Sequence, residues 1–468
     1  MRLKTHSSFI NNTIIYGIGN IGVLVINFIL VPFYTFYLSK SELGYYDFIV
    51  TTGALLAPFV TLQIEMAVLR WLMDSDSKIP RAEVIQNSLV VLFLSLSIFS
   101  LLYLIFFLIF HFENSLQLYL FFVVYFIYPF LKQIVRGLGK SKQYVFVEIF
   151  YTLIFLILAI ITIVFLKWNV KGLFISNILA FSIAIIFMLL RNKIYTLVIN
   201  IKVSHELIKE MLKYSIPLIL NVTSLWFMTS AIKYFIVFNM GYSSNGIYSV
   251  AYKFASIIQI VNSVFYLSWQ EEAFRIYPNK DLHYKFNIFI KKYISFIMFL
   301  LLLIIALQPL VVKFIIGKQF QDVTNYIPLI SFGFVFWCIG SFYGVLYQCE
   351  RKTIGLSISA LISGFIVIVL NLIFSINYNL YYASLSFILS FMVFSIYRII
   401  DSRKFVKIKF PIYEFIFYSI LILIVYFASI YASIIKYIII LLILFIVFTI
   451  VNWKNIINFS RYFKTIKI

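Results

Sequence analysis

Long uninterrupted apolar runs constrain this chain more than any other feature. They cover residues 13–38, 45–69, 87–110, 118–138, 144–166, 173–190, 214–239, 246–269, 293–308, 326–348, 355–375, 380–400, 413–432 and 434–453. A helix needs about 20 apolar residues to cross a bilayer, whereas a barrel strand needs only about 10 that alternate in polarity. The hydrocarbon core holds no water to satisfy backbone N–H and C=O groups, so runs of this length can cross it only as helices. The fold class expected is therefore an all-α integral membrane protein with 14 transmembrane helices. Composition agrees, with 63% hydrophobic and 12% charged residues, against about 25% charged in soluble domains.

Charge tests the count. The net charge of +21 comes from 38 Lys+Arg against 17 Asp+Glu, and in a soluble chain it would suggest a nucleic-acid partner. Here the cations sort by side instead. With alternating spans and both termini cytoplasmic, 30 Lys and Arg fall on the inner side and 6 on the outer, and Lys233 and Lys253 remain inside spans. Cationic loops stay on the cytoplasmic side, and a miscounted span would scramble the split. The chain is expected to be multi-pass with both termini cytoplasmic, and no nucleic-acid partner is expected. The opening MRLKTHSSF is too short for the charged region of a cleaved signal, so the first run is read as a retained span.

The longest inner connection, 191–213, includes an amphipathic stretch at 203–212 that suits a membrane surface. It is read as a linker between six-helix lobes at 1–190 and 214–400, with 401–468 as two added helices and a basic tail. Two outer turns echo each other: Ser41-Glu42-Leu43-Gly44-Tyr45-Tyr46 and Ser243-Ser244-Asn245-Gly246-Ile247-Tyr248. Their glycines stand 202 positions apart, as do Tyr46 and Tyr248. A shift by an even number of spans keeps orientation, so the halves are expected to be parallel repeats.

No enzyme signature is present. Gly137-Leu138-Gly139-Lys140-Ser141 resembles the end of a P-loop, but Ile134 occupies the position of the first required glycine. The four histidines lie in loops or tails without metal-ligand spacing, so no metal or cofactor is expected. Cys338 and Cys349 make no disulfide framework.

Ionisable groups at membrane depth are the functional candidates, because each is costly unless it meets water or a partner. Lys233 and Lys253 sit at matched depth in spans seven and eight and would make a shared cationic surface. Snorkelling to the interface is the plainer explanation. Glu65 lies about one turn inside span two, with Gln63 and Arg70 on one face, and could serve ion coupling or simply partner a nearby cation. Glu42 and Asp47 read as helix caps at the outer interface, which leaves Glu65 as the carboxylate of span two. Asn20 and Asn27 in span one, Asn221 in span seven, and Gln259 and Asn262 in span eight add polar amides to the spans that would line a cleft, although each could equally bond a neighbouring helix.

The segments Tyr16-Gly17 through Pro32-Phe33-Tyr34 to Gly44-Tyr45-Tyr46, then Thr61-Leu62-Gln63 with Ala67 and Arg70, resemble the Wzx-type O-antigen and polysaccharide flippases. The same holds for Gly246-Ile247-Tyr248-Ser249-Val250-Ala251, Trp269, and Pro309 through Gly317 and Phe320 to Pro328. The resemblance runs over most of spans one to ten. It implies a MATE-like fold, in which two pseudo-symmetric six-helix bundles surround a central cavity. It also implies export of an undecaprenyl-pyrophosphate-linked oligosaccharide by alternating access, with a polysaccharide polymerase, a chain-length regulator and membrane lipids as partners. On that reading Lys233, Lys253 and Arg70 carry the positive charge for the headgroup. The scarcity of acids in spans one, seven and eight disfavours a cationic-drug exporter of the same superfamily, and a lipid II flippase would carry an acidic, arginine-rich first span. A membrane glycosyltransferase or polymerase is the reading from a different class, and the short outer loops count against it.

Overall fold

Ser39 and Glu42 start the first long helix through a capping box. The Glu42 backbone N–H donates to Ser39 Oγ, and Ser39 N–H and Oγ both donate to the Glu42 carboxylate, satisfying donors that a helix start leaves orphaned. The computed structural model describes residues 28–74, 79–198, 203–277, 282–350, 354–406 and 408–431, together with 22, 26 and 352. Run 434–453 and much of run 13–38 lie outside them.

Among the described residues the chain is helical and without strands. The elements are α1 (Phe28–Tyr37), α2 (Lys40–Val60), α3 (Ile64–Leu72), α4 (Arg81–Phe110), α5 (Ser115–Gly137) and α6 (Ser141–Ile160), which continues as a π-turn, Ile161–Phe165. They go on as α7 (Asn169–Arg191), α8 (His205–Ser230), α9 (Ile232–Ala255) and α10 (Ile257–Ile276). The last are α11 (Leu282–Ile315), α12 (Ile327–Cys349), α13 (Ile354–Ile373), α14 (Leu380–Asp401) and α15 (Ile412–Tyr431). Ten helical stretches among the described residues are long and apolar enough to cross a membrane.

Two expected spans are interrupted. Span two divides into α2 and α3 at Leu62 and Gln63, both in the left-handed region at φ 53° and 52°. Span seven divides between α8 and α9 at Ala231. One apolar stretch, Ile232–Phe274, runs for 43 residues, which as a straight helix would reach about 65 Å, twice the bilayer core. Gly241 interrupts it at φ 78°, ψ 177°, a conformation that suits glycine because there is no Cβ to clash.

By contact the chain divides into Met1–Gly246 and Ile247–Ile468. In the first unit α5 is central, packed by α3, α4, α6 and α7 around the buried rings of Phe121, Phe126 and Phe130. The amphipathic stretch at 203–212 is not a separate helix. It forms the first turns of α8, with Leu207 and Met211 in the core of this unit, because that apolar side finds α3 and α4. The division at Gly246 differs from the lobe boundary read at 191–213. A repeat is a relation of topology, and which helices touch does not alter it.

In the second unit α12 is the buried helix, between α10, α11 and α14. Gly333 and Gly340, seven apart, leave room for the rings of Phe387 and Phe394, also seven apart: a Cβ at either glycine would stand 2.5 Å from a ring carbon. Trp269 stacks on Phe342 with centroids 4.2 Å apart, and its Nε1 donates to the Phe342 carbonyl. The buried Arg398 fastens α14 to α12 and α13, donating to Gly340 O, Ser359 Oγ and Leu356 O beneath the ring of Phe394. The outer faces of both units keep large apolar side chains, such as Phe93, Ile98 and Leu102 of α4 and Ile358, Leu361 and Phe365 of α13. Apolar surface on this scale is what lipid covers.

Candidate functional site

The candidate site lies where α2 meets α9. Lys40, Gly44, Asp47 and Thr51 follow one another at helical spacing and so share one face of α2. Opposite them stand Lys233 from the first turn of α9, and Tyr242, Asn245 and Gly246 from beyond its kink. Gly44 and Gly246 let the backbones touch. A Cβ built on Gly44 would lie 1.8 Å from Tyr242 O, and one built on Gly246 would lie 2.0 Å from Lys40 O. Each glycine therefore faces the carbonyl four residues before the other. The 202-residue offset read from the sequence maps Lys40 onto Tyr242 and Gly44 onto Gly246. The echoed turns are in contact, and the contact is reciprocal.

A buried ion pair lies just past the crossing. Lys233 Nζ stands 3.0 Å from both carboxylate oxygens of Asp47 and 3.4 Å from Thr51 Oγ1. The two side chains are only 11% and 14% exposed. Asn245 Nδ2 donates to the Gly44 carbonyl at 2.8 Å and to Asp47 Oδ2 at 3.3 Å, so one amide ties the glycine crossing to the ion pair. Around this core, Trp226 Nε1 of α8 donates to Thr51 O, and the Tyr234 and Thr52 hydroxyls meet at 2.7 Å. The rings of Tyr45 and Tyr242 meet edge to face at 5.2 Å.

The structure corrects one reading and refines another. Glu42 is a helix cap as expected. Asp47 is not, and Glu65 is not the sole acid of span two: Asp47 lies inside α2 and neutralises Lys233, because a cation and an anion at membrane depth each lower the other's desolvation cost. Lys233 is not a snorkelling side chain, being 9% exposed and held to a carboxylate. Asp47, Thr51 and Asn245 were the functional candidates that sequence reasoning passed over. The signal was available, because Asp47 falls within the run 45–69 and the nearby span-buried cation had no assigned counter-ion.

The remaining expected residues are dispersed. Lys253 is half-buried on α9 in the second unit. Arg70 is exposed in the last turn of α3, and Asn221 is exposed on α8. Gln259 is half-buried on α10. Asn262 is buried, with its Oδ1 accepting from Tyr293 Oη at 2.6 Å, which is the helix-to-helix bond that was the plainer explanation for it. Asn27 lies outside the described residues, as does Asn20.

Glu65 occupies the break in span two. Thr61, the last residue before the left-handed pair, can donate its hydroxyl to Ala57 O at 2.9 Å or to Glu65 Oε1 at 3.3 Å. Gln63 N–H donates back to Thr61 Oγ1. The other carboxylate oxygen of Glu65 is buried with no hydrogen-bond partner. Two consecutive non-glycine residues in the left-handed region cost on the order of 1–3 kcal/mol each, so packing on both sides holds this discontinuity in place. Among the described residues no group of His, Cys, Asp and Glu could hold a metal ion.

The fold has known counterparts. The chain superposes on an inward closed lipid II flippase, MurJ, with TM-score 0.66 and 16% identity over 96% of this chain and 100% of that one. It superposes on a multidrug resistance MATE family transporter of the MOP superfamily in two forms. The inward-facing form gives TM-score 0.62 and 15% identity over 83% of this chain and 93% of that one. The outward-facing form gives TM-score 0.58 and 14% identity over 85% and 95%. At these identities the likeness establishes the fold alone. Residues 9–268, more than half of the chain, match the family model described as polysaccharide biosynthesis protein, and the chain belongs to that family. No curated protein matches it.

Proposed function

We propose that this protein is a flippase that moves an undecaprenyl-pyrophosphate-linked oligosaccharide, an O-antigen or capsular repeat unit, across the bacterial cytoplasmic membrane by alternating access. The observation that carries the reading is a buried, charge-paired lysine at the α2–α9 crossing in a chain of the polysaccharide biosynthesis family. A diphosphate bearing sugars cannot enter hydrocarbon without compensation for its charge. In a partly hydrated site of effective dielectric about 20, one charge pair at about 4 Å is worth roughly 4 kcal/mol before desolvation, which suits capture followed by release. Lys233 holds the headgroup in this proposal, and Arg70, Asn27 and Asn221 contribute polar contacts along the route. Glu65, with one carboxylate oxygen unpartnered at a helix break, is the candidate coupling group, since interrupted membrane helices are where transporters hold ions.

The protein makes no glycosidic bond in this reading. Both termini are cytoplasmic, spans one to six and seven to twelve are the repeats, and a polymerase and chain-length regulator act on the delivered substrate. The fold is shared with a multidrug exporter and a lipid II flippase, so the choice of substrate rests on the family match and on the cation. Proteoliposomes carrying the purified chain and a fluorescent undecaprenyl-pyrophosphate oligosaccharide provide the test. The lipid should become accessible to a membrane-impermeant reductant on the far leaflet only when protein is present, with no change in glycan length. No transfer, or a lengthened glycan, would reject the proposal.

A further inference from the structure

We infer that Asp47 is an internal competitor for the substrate's diphosphate: it occupies Lys233 until the headgroup displaces it, and the same displacement loosens the α2–α9 crossing. This rests on the flippase reading above and adds to it a residue that sets affinity and links binding to movement.

Geometry carries the inference. Lys233 Nζ is equidistant from both Asp47 oxygens at 3.0 Å, so the ammonium that is to receive a phosphate already holds an anion of the same oxygen type. A diphosphate brings more negative charge and more acceptor oxygens than one carboxylate, and an ammonium is a compact point charge that accepts either. The ion pair is also not isolated from the helix contact. Asn245 Nδ2 bonds Asp47 Oδ2 and Gly44 O together, so a carboxylate that leaves Lys233 disturbs the amide that spans the two glycines. The crossing is tight, because each missing side chain faces a main-chain carbonyl at about 2 Å from where a Cβ would lie. Lys233 and Asn245 stand on opposite sides of Gly241, where the backbone bends and an added Cβ would meet open space, so the two halves of α9 can respond separately.

The prediction has a sign that a merely structural Asp47 would not give. Asp47→Asn removes the competitor and should bind undecaprenyl pyrophosphate about fivefold or more tightly than wild type, the lower end of typical coupling between sites. Asp47→Glu should bind like wild type, and Lys233→Ala should bind weakly whatever stands at 47. The full chain in nanodiscs, with Cys338→Ala and Cys349→Ala as background, is titrated with undecaprenyl pyrophosphate, undecaprenyl phosphate and undecaprenol. Tyr45→Cys and Tyr242→Cys report the crossing through the rate of cross-linking. Undecaprenyl pyrophosphate should slow cross-linking in the wild-type background, and Asp47→Asn should be slow without lipid. Monodisperse Asp47→Asn protein that binds no more tightly than wild type, or bound lipid that leaves cross-linking unchanged, overturns the displacement alone. Wild type that binds none of the three lipids overturns the flippase reading and the displacement with it.

Discussion

Replacing Lys233 by methionine tests whether its charge is structural or superficial. The native ammonium lies 3.0 Å from both oxygens of a carboxylate that is 14% exposed. Removing one partner of a buried pair leaves the other charge stranded, typically at a cost of about 3–5 kcal/mol. The amide of Asn245 stays bonded to Asp47 and softens the loss, which puts Lys233→Met near the lower end, about 3 kcal/mol. Asp47→Asn should cost a similar amount, with Thr51 Oγ1 still near the ammonium. The double variant has no stranded charge, and replacing both members of such pairs is often neutral. It should regain most of the loss: if it costs about 1 kcal/mol where each single variant costs about 3, the coupling energy is about 5 kcal/mol. Had Lys233 been an interfacial, snorkelling lysine, its removal would cost less than about 1 kcal/mol, as for exposed pairs. Reversible unfolding of the full chain in mixed micelles measures all four corners of the cycle. Single-variant costs below about 1 kcal/mol, or costs that simply add in the double variant, would refute the buried-pair argument.

Other outcomes follow from the same geometry. Gly44→Ala must move its new Cβ from 1.8 Å to beyond 3.0 Å from Tyr242 O, so α2 and α9 part by more than 1 Å and lose the Asn245 bond to Gly44. Cross-linking across 45 and 242 should fall and stability should drop by about 1–3 kcal/mol; normal cross-linking would contradict the contact. Arg398→Lys keeps the charge but cannot serve three acceptors on two helices, and should lose about 2–4 kcal/mol in a melting experiment; a lysine variant that melts like wild type would remove the fastening role. Glu65→Gln keeps an oxygen for Thr61 and should change stability by under about 1 kcal/mol. It should abolish any dependence of lipid transfer on a proton or sodium gradient, and a gradient response equal to wild type would release Glu65 from coupling.

Most of the helices could be read directly, because burial in lipid demands uninterrupted apolar length and leaves a plain mark in sequence. The breaks could not. Leu62 and Gln63 carry no turn chemistry of their own, and only Pro58, two residues before the end of α2, hints that the helix is weakened there. Ala231 is a good helix former and keeps helical backbone angles, φ −57° and ψ −31°, so nothing in the local sequence marks the division of span seven. The glycine contact was readable at 44 and 246, since nothing larger fits those positions. Asp47 was missed for a different reason. It lies three residues from a turn glycine and five from a capping glutamate, so a local rule about helix starts explained it before the charge balance of the span was considered. The acid's partner is 186 positions away in sequence, and no local pattern points that far.

The reciprocity of the Gly44–Gly246 contact limits how its damage can be repaired. In an ordinary core a side chain made too large can be accommodated by a second change that trims its neighbour. Here the neighbours are the carbonyl oxygens of Tyr242 and Lys40, which every amino acid possesses, so no substitution at either position shortens them. Second-site revertants of Gly44→Ala are therefore expected away from the contact, at places that reposition a whole helix, such as the Gly241 bend or the Trp226 bond from α8 to α2. The two glycines form one mutational target that can be restored only by true reversion or by re-aiming the helices that carry them.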